Sequence, residues 1–504
     1  MILNAKKSQR QMIGAERWKH SDMHGADAKG KGTWEWVGGV GKTYAALMFV
    51  ILPYLNKLTL DQRNVIIVMP QVPLIRQWIK AVESIIPSEL RHAVHVYTVQ
   101  DLIAKGTRLK CDLLVVDELH LFYSEERRKY IDGTMIEFKH NLGLTATYKD
   151  PKGRHHAIAE MYPIIDKIDT REALQEGYIS KFFEYNLGLY LNEKDQETYA
   201  KMSFGYDHPT EVNDDGTPVH KKGISDYLAM FGDHGFTAVQ KVLSGATVVV
   251  EGEEVFYSGY SYACMWAAKM GWHAECSKEI NDVWNPNIVI GYAKQTMALV
   301  RSRKNIINMN KVKIDAAVEL VLKYPQFKTI SFSQSTEYAD LFAGACRSKG
   351  ENCVVFHSSM RSKPMVDSNG EYLTYKSGAK KGQPKMFGKT ALKKHAIESI
   401  ANGNARIIST ASALNVGFNV EDISMGIIAG RNSNFNDQRQ RLYRATRIDP
   451  YNTEQPVILV NIYFVGTVDE RWLNKAQSQS ENLIYWVSSI DEINFNPQII
   501  GATF

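Results

Sequence analysis

Two separate blocks of short apolar runs, each alternating with helical stretches, organise this 504-residue chain. In the first block Val65-Ile66-Ile67-Val68-Met69, Val94 to Tyr97 and Leu113-Leu114-Val115-Val116 are continuous apolar segments, and Asn141-Leu142-Gly143-Leu144 is a shorter one. In the second they are Thr329-Ile330-Ser331-Phe332, Asn352 to Phe356, Arg406-Ile407-Ile408-Ser409, Gly426-Ile427-Ile428-Ala429 and Val457 to Phe464. Runs of this length between helical stretches are strands covered on both faces, the pattern that βαβ units leave in a sequence. The expected fold class is α/β, with two tandem doubly wound parallel-sheet domains.

Between the blocks, from about 185 to 312, the pattern changes. Glu193 to Met202 and Tyr262 to Ile280 read as helices, Asn213-Asp214-Asp215-Gly216 as a turn, and Val248 to Phe256 as a hairpin across Gly252. The expected layout is a first sheet domain at 1–170, a linker and mainly helical accessory insertion at 171–312, a second sheet domain at 313–480 and a C-terminal tail at 481–504. A smaller insertion, about 361–389, interrupts the second domain. It carries Ser368-Asn369-Gly370-Glu371, a hairpin-turn signal, and the lysines Lys376, Lys380, Lys381, Lys385 and Lys389.

Composition narrows the class only slightly. A hydrophobic share of 44% and a charged share of 23% are those of a soluble globular enzyme. A net charge of +5 permits a polyanionic partner without requiring one. The five cysteines include no C-x-x-C pair, which argues against a zinc ribbon or a disulfide framework and for a reducing compartment. The N-terminal residues lack the apolar run of a signal peptide. Ala45 to Leu55 contains Pro53 and falls far short of the ~20 residues that span a bilayer. The expectation is a soluble, cytoplasmic protein with no membrane partner.

Chemistry enters at Gly38-Gly39-Val40-Gly41-Lys42-Thr43, between a short strand, Gly32 to Trp36, and a helix beginning near Tyr44. Glycines there let backbone N–H groups turn inward around phosphate oxygens, and the helix N-terminus adds its positive end. Lys42 is placed to reach the β- and γ-phosphates of ATP, and the Thr43 hydroxyl to ligate Mg²⁺. The full pattern asks for glycine five residues before Gly41, where this chain has Trp36. A second signal is Val115-Val116-Asp117-Glu118-Leu119-His120, an apolar strand ending in paired carboxylates at the sheet edge where ligands of open α/β sheets bind. Asp117 is the candidate Mg²⁺ carboxylate, and Glu118 the group that polarises the attacking water.

With these residues in place the chain resembles a superfamily 2 helicase of the DExH/DEAH-like kind, Asp117-Glu118-Leu119-His120 being its eponymous box. The resemblance implies two RecA-like lobes with ATP between them, and it assigns further segments in order. Gln11 resembles the glutamine that reads adenine. Met69-Pro70-Gln71-Val72-Pro73-Leu74-Ile75-Arg76-Gln77-Trp78 resembles motif Ia, and Val96 to Leu102 the next backbone-contact segment. Gly143-Leu144-Thr145-Ala146-Thr147 resembles motif III, which links ATP site and track, with Tyr148 where the family usually has proline. Ser333 and Gln334 fall in motif IV. Ser409-Thr410-Ala411 and Gly417-Phe418-Asn419-Val420 resemble motif V, and Gln440-Arg441-Leu442-Tyr443-Arg444-Ala445-Thr446-Arg447 resembles motif VI.

Arg444 and Arg447 lie three apart, so on a helix they share a face. As arginine fingers such residues are worth about 10³–10⁵ in rate. The resemblance thus implies Lys42, Glu118, Gln440, Arg444 and Arg447 as catalytic groups. Nucleotide contacts would come from Gln11, Gly38, Gly39, Val40, Gly41, Thr43, Asp117, Gly417 and Asn419, and coupling from His120, Thr145 and Thr147. Backbone contacts would come from Pro70, Gln71, Arg76, Thr98, Ser333, Gln334 and Thr410, extended by Lys380 and Lys381. Motifs V and VI are also similar to those of Snf-type double-strand translocases, features that compact phage helicases share. The implied partner is single-stranded, forked or branched DNA, with RNA as an alternative, and the implied cofactors are ATP and Mg²⁺.

Overall fold

The computed structural model describes residues 5–20, 30–57, 64–70, 72–150, 153–179, 182–232, 235–250, 253–270, 286–360, 362–364, 371–378, 380–411, 423–430, 457–477 and 484–493. Two compact units emerge, Met1–Gly188 with Ile314–Phe504, and Leu189–Lys313.

The first unit holds both large sheets. Its N-terminal sheet has six strands, β1 (Thr33–Trp36), β2 (Val65–Met69), β3 (Val94–Thr98), β4 (Leu109–Asp117), β5 (Ile136–Thr145) and β6 (Ile164–Ile168), in the order β3-β2-β4-β5-β1-β6. Neighbours in it run parallel. β2 is buried along its whole length, as an interior parallel strand covered on both faces must be. Each of its valines and isoleucines contributes about 1.5–3 kcal/mol by leaving water. β4 and β5 extend well beyond the apolar cores that mark them in the sequence, because the pairing continues through Leu109↔Ile136 and Lys110↔Glu137 at the half-exposed end.

The second sheet has seven strands. With β7 (Phe182–Leu189), β12 (Thr329–Ser333), β13 (Cys353–Phe356), β16 (Ile407–Ala411), β17 (Met425–Ile428), β18 (Val457–Phe464) and β19 (Ile484–Val487), its order is β13-β16-β12-β17-β18-β7-β19. The two tandem RecA-like sheets expected from the sequence are present. Two boundaries differ. Phe182–Leu189, expected in the linker, is a strand of the second sheet, and so is Ile484–Val487, expected in the tail. Glu184 and Asn186 put polar groups in the buried middle of β7. Asn461 Nδ2 donates to Glu184 Oε1 at 2.8 Å and to Asn186 Oδ1 at 3.0 Å, and Gln477 Nε2 donates to the same two oxygens at 2.7 and 3.0 Å. Buried polar groups satisfied in this way fix a register instead of weakening it.

The second unit comprises helices Glu193–Phe204, Ile224–Met230, Gly235–Ser244, Gly259–Met270 and Pro286–Asn308 with two hairpins, β8 (Tyr206–Val212) with β9 (Pro218–Lys221) and β10 (Ala246–Val250) with β11 (Glu253–Tyr257). Its core gathers Phe231, Val239, Val242, Tyr262, Trp266 and Val289. Trp266 is thus a core residue, while Trp272, His273 and Cys276 lie outside the described residues, as does the Asn369-Gly370 turn. In the first unit the insertion shows a short pairing of β14 (Lys363–Pro364) with β15 (Met386–Phe387).

Candidate nucleotide site and its supports

The phosphate loop joins β1 to the helix that opens with α2 (Lys42–Ala45). Gly39 and Gly41 have φ of +88° and +89°, a left-handed conformation that side chains resist and glycine does not. Gly41 caps the helix, so its first N–H groups face the loop. Lys42 Nζ donates to the Trp36 carbonyl at 2.8 Å, while Lys42 and Thr43 are both half-buried. The helix does not break at Pro53. It widens into a π-turn over Ala46–Ile51 before continuing as α3 (Leu52–Lys57). The wider turn takes in Phe49, four residues before Pro53, where proline lacks an N–H to bond the carbonyl and crowds it.

The loop leans on α1 (Ala5–His20). Gln11 is buried and its Nε2 donates to the Val40 carbonyl at 2.6 Å, so the expected adenine reader touches the loop itself. Lys7, which carried no signal in the sequence, donates to the Gly39 carbonyl at 2.9 Å and to Tyr178 O at 3.0 Å. Trp36 stands where the pattern has glycine and is wholly buried, stacked on Trp34 with ring centroids 4.2 Å apart. Its Nε1 donates to Asp166 Oδ2 at 2.6 Å. The same buried carboxylate receives Arg10 Nη1 at 2.8 Å and pairs with Arg17. Asp166 therefore ties α1, the end of β1 and β6 together under the loop.

Across the sheet edge Asp117 ends β4, also buried. Its Oδ2 accepts from Trp78 Nε1 at 2.7 Å and its Oδ1 from the Glu118 N–H at 3.0 Å. Burial and the charge of Glu118 push its carboxyl up to about 6, against the hydrogen bond from Trp78 and the charge of Lys42. Glu118 is the only non-glycine described residue with positive φ, at 52°. Such strain costs about 1–3 kcal/mol and persists where a site requires it. Its Oε2 is buried without a hydrogen-bond partner among the described residues and lies 3.6 Å from His120 Nδ1. His120 Nδ1 is also 3.0 Å from Thr145 Oγ1, which donates to the Thr147 carbonyl at 2.9 Å. The three expected coupling residues thus form one chain from the carboxylate into motif III. Tyr148, in place of proline, donates its N–H to Glu35 at 3.0 Å, while its carbonyl accepts from Tyr123.

The expected track residues divide. Arg76 is exposed on α4 (Val72–Ile85), and Lys380 and Lys381 are exposed in the insertion, Lys380 and Lys385 each lying over the Tyr375 ring at 6.0 and 5.9 Å. Pro70 is buried, its carbonyl taken by Gln100. Thr98 is turned inward. It is wholly buried, and its hydroxyl caps α5 (Val99–Lys105), accepting from Asp101 N at 3.1 Å and donating to Asp101 Oδ2 at 2.7 Å. Ser333 is likewise turned inward, its Oγ donating to Ser335 O at 2.8 Å, with Gln334 half-buried beside it. Thr410 is buried, its Oγ1 without a hydrogen-bond partner among the described residues. Gln71, Gly417, Asn419, Gln440, Arg444 and Arg447 lie outside the described residues.

No group of three or more His, Cys, Asp or Glu among the described residues has the geometry to hold a metal, and no described helix is long and apolar enough to cross a membrane. The Asp117 carboxylate and Thr43 hydroxyl are nevertheless oxygen donors of the kind Mg²⁺ takes when phosphates and water supply its other ligands.

A glycine-turned phosphate loop and a strand-end carboxylate pair stand together on the first of two RecA-like sheets, the arrangement of a P-loop nucleotide site. Residues 3–150 match the family described as "Type III restriction enzyme, res subunit". No match is found among curated proteins. Among solved structures, S. cerevisiae Dbp5 bound to RNA and ADP BeF3 is similar in fold, with a TM-score of 0.52 at 10% identity over 96% of this chain and 90% of that chain. A variant of Dbp5 in the same complex gives 0.51 at 11% over the same shares. The Pyrococcus furiosus Hef helicase domain gives 0.45 at 16%, over 93% and 97%. The family match thus covers the first lobe, and the two tandem RecA-like sheets share the fold of the Dbp5 structures.

Proposed function

We propose that this chain is an ATP-driven helicase or translocase acting on single-stranded, forked or branched DNA. The observation that carries the reading is Glu118: a strained backbone presents a buried carboxylate oxygen with no hydrogen-bond partner among the described residues, beside His120 and Thr145. A group held that way is poised to accept a proton from water. In this reading Lys42 exchanges the Trp36 carbonyl for phosphate oxygens, and Glu118 orients and deprotonates the attacking water. His120 and Thr145 carry the change in charge toward the track. Mg²⁺, when bound through Thr43 and Asp117, neutralises charge on the phosphates. Arg444 and Arg447 complete the site from the second lobe, and Gln11 selects adenine.

Backbone grips at Arg76, Lys380 and Lys381 carry little sequence information, so binding is salt-sensitive and weakly sequence-selective. The restriction-enzyme family matched by the first lobe favours DNA, and the RNA held by Dbp5 favours RNA as the second reading. The deciding experiment compares ATP turnover with single-stranded, duplex, forked and four-way DNA and with RNA. Stimulation by forked or branched DNA above RNA supports the proposal, and stimulation by none of them refutes it. Lys42→Ala and Glu118→Gln each abolish turnover, and Arg447→Ala loses hydrolysis while still binding nucleotide.

A further inference from the structure

Trp78 is wholly buried on α4 among Leu74, Ala81 and Val82. Any large apolar side chain of similar volume would serve that packing. The indole has a single donor, however, and it is given to Asp117 Oδ2. Its reach follows from topology. α4 leaves the C-terminal end of β2, β2 pairs with β4, and Val68 stands opposite Val116, the residue before Asp117. The same helix turns Arg76, Ile79 and Lys80 to solvent. One side of α4 therefore holds the carboxylate while another lies open.

We propose that Trp78 is a positioning residue that ties the nucleic-acid side of α4 to the metal-binding geometry of Asp117. The inference rests on the reading above, in which Asp117 serves Mg²⁺ and α4 faces the backbone. A packed indole has two torsions, both fixed by its neighbours, so it holds Oδ2 in one direction and stops the carboxylate from rotating. Hydrogen-bond strength falls steeply with angle and distance. A displacement of α4 by a polyanion at Arg76 is thus felt at Asp117, without any contact between track and nucleotide. Linkage makes the effect reciprocal: nucleotide with Mg²⁺ biases α4 as nucleic acid biases Asp117.

The test uses the full chain with Trp78→Phe, and with benzothienylalanine at the same position, an isostere that lacks only the N–H and keeps the ring packed should phenylalanine leave a cavity. Affinity for a fluorescent ADP is measured in Mg²⁺ and in EDTA, alone and with single-stranded DNA. In both variants the tightening caused by Mg²⁺ falls by about tenfold, the worth of one charge-assisted hydrogen bond, while affinity in EDTA stays as in wild type. The effect of DNA on the Mg²⁺-dependent affinity shrinks with it. Wild-type Mg²⁺ tightening in the isostere overturns the proposal. If wild type itself shows neither Mg²⁺ tightening nor a response to nucleic acid, the parent reading falls and takes this inference with it.

Discussion

Trp36 occupies the space that a side chain on Gly14 would need: a Cβ built on Gly14 comes well inside 3.0 Å of the indole Cζ2. The residue that replaces the loop's first glycine is therefore accommodated by a glycine on α1, and Asp166 binds what the two create.

The clash gives a first prediction. Alanine in a helix gains up to about 1 kcal/mol over glycine, whereas overpacking a fixed ring costs about 1–3 kcal/mol. Stacking on Trp34 and the bond to Asp166 leave this ring no retreat, so the second effect wins. Gly14→Ala lowers the unfolding midpoint in denaturant and weakens ATP binding by displacing Gln11. Trp36→Phe added to it recovers part of the loss, and a double-mutant cycle with no coupling would show that the ring is not the obstacle.

Thr98 and Arg76 separate stability from binding. Loss of an N-cap hydroxyl costs about 1 kcal/mol, so Thr98→Ala lowers stability by that order and leaves nucleic-acid affinity unchanged. Arg76 is exposed, and Arg76→Ala does the reverse: stability holds, affinity falls on all sequences alike, and the slope of affinity against salt drops by about one counterion. Binding measured across a salt series, beside denaturation of each variant, checks both.

What was legible in the sequence is what is local in it. The phosphate loop, Asp117-Glu118 and the apolar strands each carry their chemistry within a few residues, and the structure sets the loop after β1 and the carboxylates at the end of β4. The supports were hidden because they are made across the chain. Trp36 looks like a defect until Asp166 is beside it, and Trp78 looks like a core residue until its N–H is traced. β7 reads as linker because Glu184 and Asn186 interrupt its apolar pattern, and their partners, Asn461 and Gln477, come from far along the chain. Thr98 is ambiguous for a related reason: a hydroxyl at a strand end serves equally as a contact or as a cap.

His220 supplies a pH dependence within the accessory unit. Its Nδ1 lies 2.7 Å from Asp207 Oδ1 and its Nε2 3.2 Å from Asp226 Oδ2, and these bonds raise its pKa above the ordinary 6.5. A histidine raised on folding stabilises fully below its unfolded pKa, and the contribution is lost as pH rises through the folded one. The β8–β9 hairpin therefore exchanges its amide hydrogens faster above the folded pKa than below pH 6.5, after correction for intrinsic rates. His220→Gln removes this pH dependence, and an unchanged profile in that variant would assign it elsewhere.

Glu118 sets function against stability. Its φ of 52° is strained for a side chain, its Oε2 is buried without a hydrogen-bond partner among the described residues, and it stands beside the buried carboxylate of Asp117. Glycine relieves the backbone at a cost of about 0.4–1 kcal/mol in unfolded-state entropy. The strain it removes is about 1–3 kcal/mol, and the repulsion with Asp117 goes as well. Glu118→Gly is therefore more stable than wild type, by about 1 kcal/mol, and has no turnover. Glu118→Gln keeps the strain but loses the charge, so it lies between the two in stability and is equally inactive. Denaturant midpoints in the order Gly, Gln, Glu, with hydrolysis in the last alone, would show that the strain is maintained for catalysis. A glycine variant less stable than wild type would mean that the side chain contributes more packing than its backbone costs.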